Sequence, residues 1–104
     1  MALIAYVGKK PVGVVTIAET YALYAGGKIG IIQECYVSPE QRSQLVGDAL
    51  LNGALLLAKA NGWACMELCT PPLPEFKKTV DFYVRHDFVP VGGRKMRLQV
   101  NLST

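Results

Sequence analysis

Between residues 29 and 70 the chain changes its hydrophobic period twice, and this restricts the folds open to it more than any other feature. In IGIIQECYV, residues 29–37, apolar side chains fall on both parities (Ile31, Ile32, Cys35, Tyr36 and Val37), the pattern of a central strand covered on both faces. Over residues 45–61 the period becomes helical. Gln44, Asp48, Asn52 and Lys59 form one polar stripe, and Leu50, Leu51, Ala54, Leu55, Leu57 and Ala58 fill most of the remainder. Asn61-Gly62 stops the helix, with Gly free to take a left-handed conformation, and residues 63–70 return to a short strand. Strand, helix, strand in that succession is a right-handed crossover joining parallel strands.

The flanks complete the expectation. Residues 3–7 and 12–17 are β-rich around Gly8-Lys9-Lys10-Pro11 and read as an antiparallel hairpin. Residues 19–28 form a looser segment ending in Gly26-Gly27. Pro71, Pro72 and Pro74 make a stiff connector into a second helix over residues 75–86, with Phe76, Val80, Tyr83 and Val84 on one stripe. Residues 88–91 and 95–101, parted by Gly92-Gly93, close the chain as a strand pair. The predicted fold is α/β, a mixed, partly antiparallel central sheet in the order β-β-β-α-β-α-β-β, forming a single domain over residues 1–104.

The strand-to-helix junction VSPEQRSQLVGDALL, residues 37–51, carries the chemistry. Ser38 with Gln41 reads as a capping box with Pro39 at the first helical position. A second reading is an anion site. Arg42 stands where a diphosphate wants a cation, Ser43 and Gln44 leave the backbone open, and Gly47 removes a side chain at the helix start. Free N–H groups and the helix dipole there bind phosphate oxygens without any particular side chain. The chain has no Lys-Ser/Thr after the glycine, as a P-loop requires, and no Gly-x-Gly-x-x-Gly.

Residues 29–50, IGIIQECYVSPEQRSQLVGDAL, resemble the core of the GNAT N-acetyltransferases, where an apolar-Val-x-Pro step leads into Arg/Gln-x-x-Gly-x-Gly/Ala at a helix start. DFYVRHDFVPVG resembles that family's Phe-Tyr-x-x-x-Gly-Phe segment, and AYVGKKPVGVVTI its second and third strands. The resemblance spans the chain in the right order. It implies acetyl-CoA as cosubstrate, its pyrophosphate cradled by the amides of Arg42, Ser43, Gln44, Leu45, Val46 and Gly47. The pantetheine arm would pair with main chain at Tyr36 and Val37, where two parallel strands splay, and Tyr83 would be the general acid for the leaving thiolate. The sequence departs from the family at Leu45, which stands for the first motif Gly, and at Asp87, which stands for the Gly before the final Phe. Phe76 replaces a common Asn. Asp48 suits the helix dipole but repels a diphosphate if it points inward. By the same resemblance the chain starts at the family's second strand, lacking the first strand and first two helices.

Two candidate residues keep alternative readings. Tyr83 lies on an apolar stripe, where a plain core role competes with catalysis. Glu34, three residues before Val37, is the best general-base candidate if partly desolvated, and otherwise a strand carboxylate facing solvent or a lysine. Cys35, Cys65, Cys69 and His86 have the composition of a zinc site but no ligand-pair spacing, so no metal is expected, and nothing marks Cys35 as a nucleophile. Lys77-Lys78 reads as a solvated face that also suits the adenosine phosphate. The net charge of +3 is too mild and scattered for nucleic acid. No apolar run reaches a membrane span, and MALIAYVGKK has no charged region ahead of its apolar stretch, so neither a membrane anchor nor a signal is expected. Reduced thiols suit the cytoplasm.

The functional expectation is therefore acetyl transfer from acetyl-CoA to an unidentified amine, by a homodimer whose sheet edge or apolar face is covered by its twin. The alternative is a shortened, non-catalytic CoA-binding or dimerising module. A third is a small α/β domain without CoA.

Overall fold

The computed structural model describes residues 1–42, 45–69, 77–92 and 96–100. Four strands form one sheet in the order β1-β2-β3-β4: β1 (Ala2–Val7), β2 (Lys10–Ala22), β3 (Gly27–Val37) and β4 (Met66–Glu67). The first two interfaces are antiparallel and the β3–β4 interface is parallel. Helices α1 (Val46–Asn61) and α2 (Lys77–Arg85) complete the described elements. The mixed α/β architecture is the one expected.

The β1–β2 hairpin turns through Gly8 at φ 62° and aligns Val7 with Lys10 and Ala2 with Thr16. The segment expected to be loose is instead a long hairpin. Thr20 pairs with Ile29, Tyr21 with Lys28 and Ala22 with Gly27, around a short 3-10 turn at Leu23–Ala25. Glu19 and Thr20 broke the apolar pattern although Ala22 and Ile29 of this hairpin are buried; Glu19 instead accepts from the Trp63 indole and pairs with Lys28.

Two further elements are shorter than expected. Of the strand predicted over 63–70, the described residues 63–69 form only Met66–Glu67, pairing with Gly30 and Ile31. The predicted closing pair is not formed: residues 88–92 and 96–100 carry no strand, while residues 95 and 101 lie outside the described ones. In α2, Phe82 and Tyr83 pack inward and Val84 is half exposed, so the buried stripe is rotated from the predicted one.

Both helices cover the same face of the sheet. Val12, Val15, Ile17 and Ile32 from the strands meet Val46, Leu50, Leu51, Ala54 and Ala58 of α1, and Phe82, Tyr83 and Phe88 pack against that cluster. Trp63 seals one end. Its ring lies on Gly30, where a Cβ would come within 2.4 Å of it, and its indole N–H donates to Glu19 at 2.6 Å. Gly62 ends α1 at φ 68°, as its sequence predicted.

The register of β3 shifts once. Thr16 pairs with Glu34 and Ile17 with Ile32, leaving Gln33 as a bulge. Ile32 and Cys35 therefore both face the helices although they differ in parity. Glu34 and Tyr36, opposite Thr16 and Val14 on β2, share the other face.

Candidate functional site

The bulge at Gln33 also marks where β3 leaves its parallel neighbour. The last pair, Ile31 with Glu67, comes two residues before it, and β3 then runs on to Val37 while β4 has ended. Among the described residues the β4-side edge of β3 from Gln33 to Val37 has no ladder partner, so its backbone polar groups stand open. An open cleft of about 600 Å³ occupies this gap between β3, the start of α1 and the inner side of α2.

The helix mouth at its end is not a capping box. Ser38, Pro39 and Gln41 build a separate short 3-10 turn in which the Ser38 side chain caps nothing. Helix α1 begins at Val46 and its N-cap is Leu45, which has no side chain able to cap. The amides of Val46, Gly47 and Asp48 have no carbonyl partner within the helix, and the first helix-type bond runs from Ala49 N–H to the Leu45 carbonyl at 3.1 Å. Leu45 sits at φ 62°, ψ 19° and Asp87 at φ 70°, the only non-glycine residues with positive φ among those described. These are the two positions where the resembled family carries glycine, so the backbone conformation is kept and the glycine is not.

Arg42, Lys78 and Arg85 line the cleft against one carboxylate, Asp48. Arg42 does not reach toward the helix mouth. Its Nε donates to the Val37 carbonyl at 3.1 Å and its guanidinium lies 5.8 Å from the Tyr36 ring centre, which fixes it on the rim. Asp48 is held by α2: its Oδ1 accepts from Arg85 at 3.2 Å and lies 2.5 Å from His86 Nε2. The His86 hydrogen bond and then the Arg85 pair hold its carboxyl below the ordinary aspartate value, so its charge is engaged rather than free to repel an anion. Gly47 lets the helices approach, since a Cβ there would stand 3.0 Å from Phe82.

Tyr83 and Cys35 are neighbours on the cleft wall, hydroxyl beside thiol. Burial, then the neighbouring Cys35, pushes the Tyr83 hydroxyl up to about 12, and burial pushes the Cys35 thiol up as well. The Cys35–Tyr83 contact was missed in the sequence. The signal was its spacing from Val37, which places both on one strand face.

Of the predicted site residues, Tyr36, Val37, Arg42, Gly47 and Tyr83 line the cleft. Leu45 and Val46 sit at its helix mouth, and Ser43 and Gln44 lie outside the described residues. Glu34 does not join them: it is exposed on the opposite face of the sheet and absent from the cleft lining. Lys78 lines the cleft, whereas the Lys77 side chain and Phe76 fall outside the description. Cys35, Cys65 and Cys69 are free thiols, and no three metal-ligating side chains cluster among the described residues. No helix among those residues is long and apolar enough to cross a membrane.

Residues 2–90 match the family described as the acetyltransferase (GNAT) domain. No curated protein sequence matches the chain. Among solved structures, an integron cassette protein from the mobile metagenome of V. cholerae superposes with a TM-score of 0.85 at 14% identity, covering 96% of this chain and 61% of its own. A transcriptional regulator from Bacillus halodurans C-125 gives 0.81 at 24% identity, with 93% and 65% covered. A ribosomal-protein-alanine N-acetyltransferase from Brucella melitensis biovar Abortus 2308 gives 0.76 at 20% identity, with 95% and 70% covered. At these identities the likeness is one of fold, and this chain spans only 61% to 70% of the length of those proteins.

Proposed function

The chain belongs to the GNAT acetyltransferase family, and on that premise we propose that it transfers an acetyl group from acetyl-CoA to an amine. The observation that carries this reading is the cleft where β3 leaves β4, with open strand backbone, uncapped helix amides and the Tyr83 hydroxyl on its walls. The pantetheine arm would pair with β3 near Tyr36 and Val37. The pyrophosphate would take the amides from Arg42 to Gly47, including those of Ser43 and Gln44, under the positive balance of Arg42, Lys78 and Arg85.

In the reaction the amine nitrogen attacks the thioester carbonyl, the C–S bond breaks, and the sulfur leaves as a thiolate that ends as a thiol. Tyr83 is the general acid of this scheme. Its hydroxyl, at about 12, stays protonated throughout the working range. An ordinary thiol ionises near 8.5, so complete proton transfer from Tyr83 to the thiolate is uphill by roughly 5 kcal/mol. Its contribution is therefore a hydrogen bond that strengthens as charge grows on sulfur, with the amine proton completing the balance. Positioning of amine and thioester supplies most of the remaining acceleration. Glu34 would take the first proton of an acceptor bound as ammonium, through water, and so free the nitrogen to attack; the second proton is the one that ends on sulfur.

A homodimer joined along the outer edge of β1, which has no further strand among the described residues, belongs to the same reading, and a monomer by light scattering at micromolar concentration removes it. Free thiols suit a reducing, cytoplasmic setting. A second reading, a CoA-binding module without catalysis, draws support from the absence of Glu34 from the cleft lining. Calorimetric titration with acetyl-CoA tests the shared premise. Turnover of Tyr83→Phe then separates the two readings: an enzyme loses about a hundredfold or more in kcat with acetyl-CoA affinity unchanged, whereas a module has no turnover to lose.

A further inference from the structure

The face of the sheet turned away from both helices carries a second depression. It is a hollow of about 260 Å³ walled by Ile4, Pro11 and Val14, with Tyr36 and Ser38 at its margin. Ile4, Val14 and Tyr36 form one cross-strand row over β1, β2 and β3, and the next row runs Ala2, Thr16, Glu34. The hollow is thus an apolar seat beside one carboxylate. Glu34 is exposed, and among the described residues no cation pairs with it. Tyr36 borders both the hollow and the cofactor cleft, so the two sites meet across the same strand.

Resting on the transferase reading, we propose that this hollow is the acceptor subsite and that the acceptor is a primary amine with an apolar body. The ammonium lies against Glu34 and the body in the seat of Ile4, Val14 and Tyr36. Two residues along a strand separate these groups by about 7 Å, which fits an amine set two or three bonds from a ring or branched chain. The hollow has space for about nine water-sized groups, so it takes a small molecule or a single side chain. A polyamine or polyhydroxylated amine fits poorly, because the seat offers apolar surface where such a ligand needs further carboxylates.

The test is a nitrogen-15 chemical-shift titration of the full chain with phenethylamine, ethanolamine and spermidine, with no acetyl-CoA present. Phenethylamine is expected to give saturable shifts centred on Ile4, Val14, Glu34 and Tyr36. Ethanolamine, lacking the ring, is expected to bind at least about tenfold more weakly. Ile4→Gln and Glu34→Gln should each weaken phenethylamine several-fold and leave acetyl-CoA titration unchanged. Ile4 is 51% exposed, so its variant folds. Shifts that are absent or scattered, or equal affinity for ethanolamine, spermidine or either variant, overturn the subsite. Failure of acetyl-CoA to bind, with the phenethylamine shifts intact, removes the transferase reading instead.

Discussion

Leu45→Gly compared with Leu45→Ala is a test whose sign depends on one backbone angle. Leu45 holds φ 62° at the mouth of α1 and is 70% exposed. A left-handed conformation costs an L-residue roughly 1–2 kcal/mol, because Cβ crowds the following carbonyl. Alanine keeps that Cβ and glycine removes it. Both variants lose the same few contacts of a mostly exposed side chain, so these cancel in the comparison. Glycine carries an unfolded-state entropy penalty of about 0.5–1 kcal/mol relative to alanine. The balance favours Leu45→Gly by about 0.5–1 kcal/mol, or a thermal midpoint higher by about 4 °C for a domain of this size. Thermal unfolding by circular dichroism at fixed pH reads it. In a right-handed or extended conformation only the entropy penalty survives, and alanine becomes the more stable variant. An alanine variant as stable as the glycine variant, or more so, refutes the left-handed mouth and with it the aim of the loop amides. Asp87, at φ 70°, predicts the same ordering of its own Gly and Ala variants.

Gly30→Ala forces a methyl into the Trp63 ring, which Glu19 holds in place, and should cost about 1–3 kcal/mol, with a changed near-ultraviolet signal from the chain's single tryptophan; unchanged stability would mean Trp63 does not lie there. Asp48→Asn removes the carboxylate joining α1 to α2 and should cost about 1 kcal/mol at neutral pH. Because the folded value lies below 3.8, that contribution is present above pH 3.8 and fades as acid protonates the native carboxyl, so the wild-type and variant urea midpoints should converge at low pH. Tyr83 has the opposite sense: its folded value of about 12 exceeds the unfolded 10.0, so its contribution is intact below pH 10 and is lost as pH climbs toward 12. The wild type should lose stability over that window relative to Tyr83→Phe, and parallel curves would show that the hydroxyl is not buried.

The sequence was most legible where burial wrote a period into it. The double change of period located β3 and α1, and Gly62 marked the end of the helix, because these positions answer to the core. It was silent where polar pairing replaces apolar alternation: in the outer hairpin Glu19, Thr20 and Tyr21 are exposed and Glu19 is held by Trp63 and Lys28, so its strands looked like a loop. In the site, departures from a familiar motif told more than agreement with it. Leu45 and Asp87 occupy glycine positions, and the chain keeps the glycine conformation at both. Arg42 lies beside the cleft, where its spacing placed it, but the way its side chain lies was not legible. Spacing gives the residue its place, but the Val37 carbonyl decides where its side chain goes. The facing of Glu34 could not be read off, because one unpaired residue reverses parity in mid-strand and leaves no compositional trace.

That unpaired residue, Gln33, makes β3 more sensitive to its length than to its composition. Gln33 is exposed, and replacing it alters one solvated side chain. Deleting it would rejoin the strand in a single phase. Glu34 would then follow Ile32 directly, still opposite Thr16 on the bare side, and Cys35 and Val37 would keep facing the helices. What would go is the extra backbone unit and the local bend it gives β3 where β4 ends. At the level of the gene, the loss of that one codon straightens the strand beside the cleft, while most changes within the codon leave it untouched.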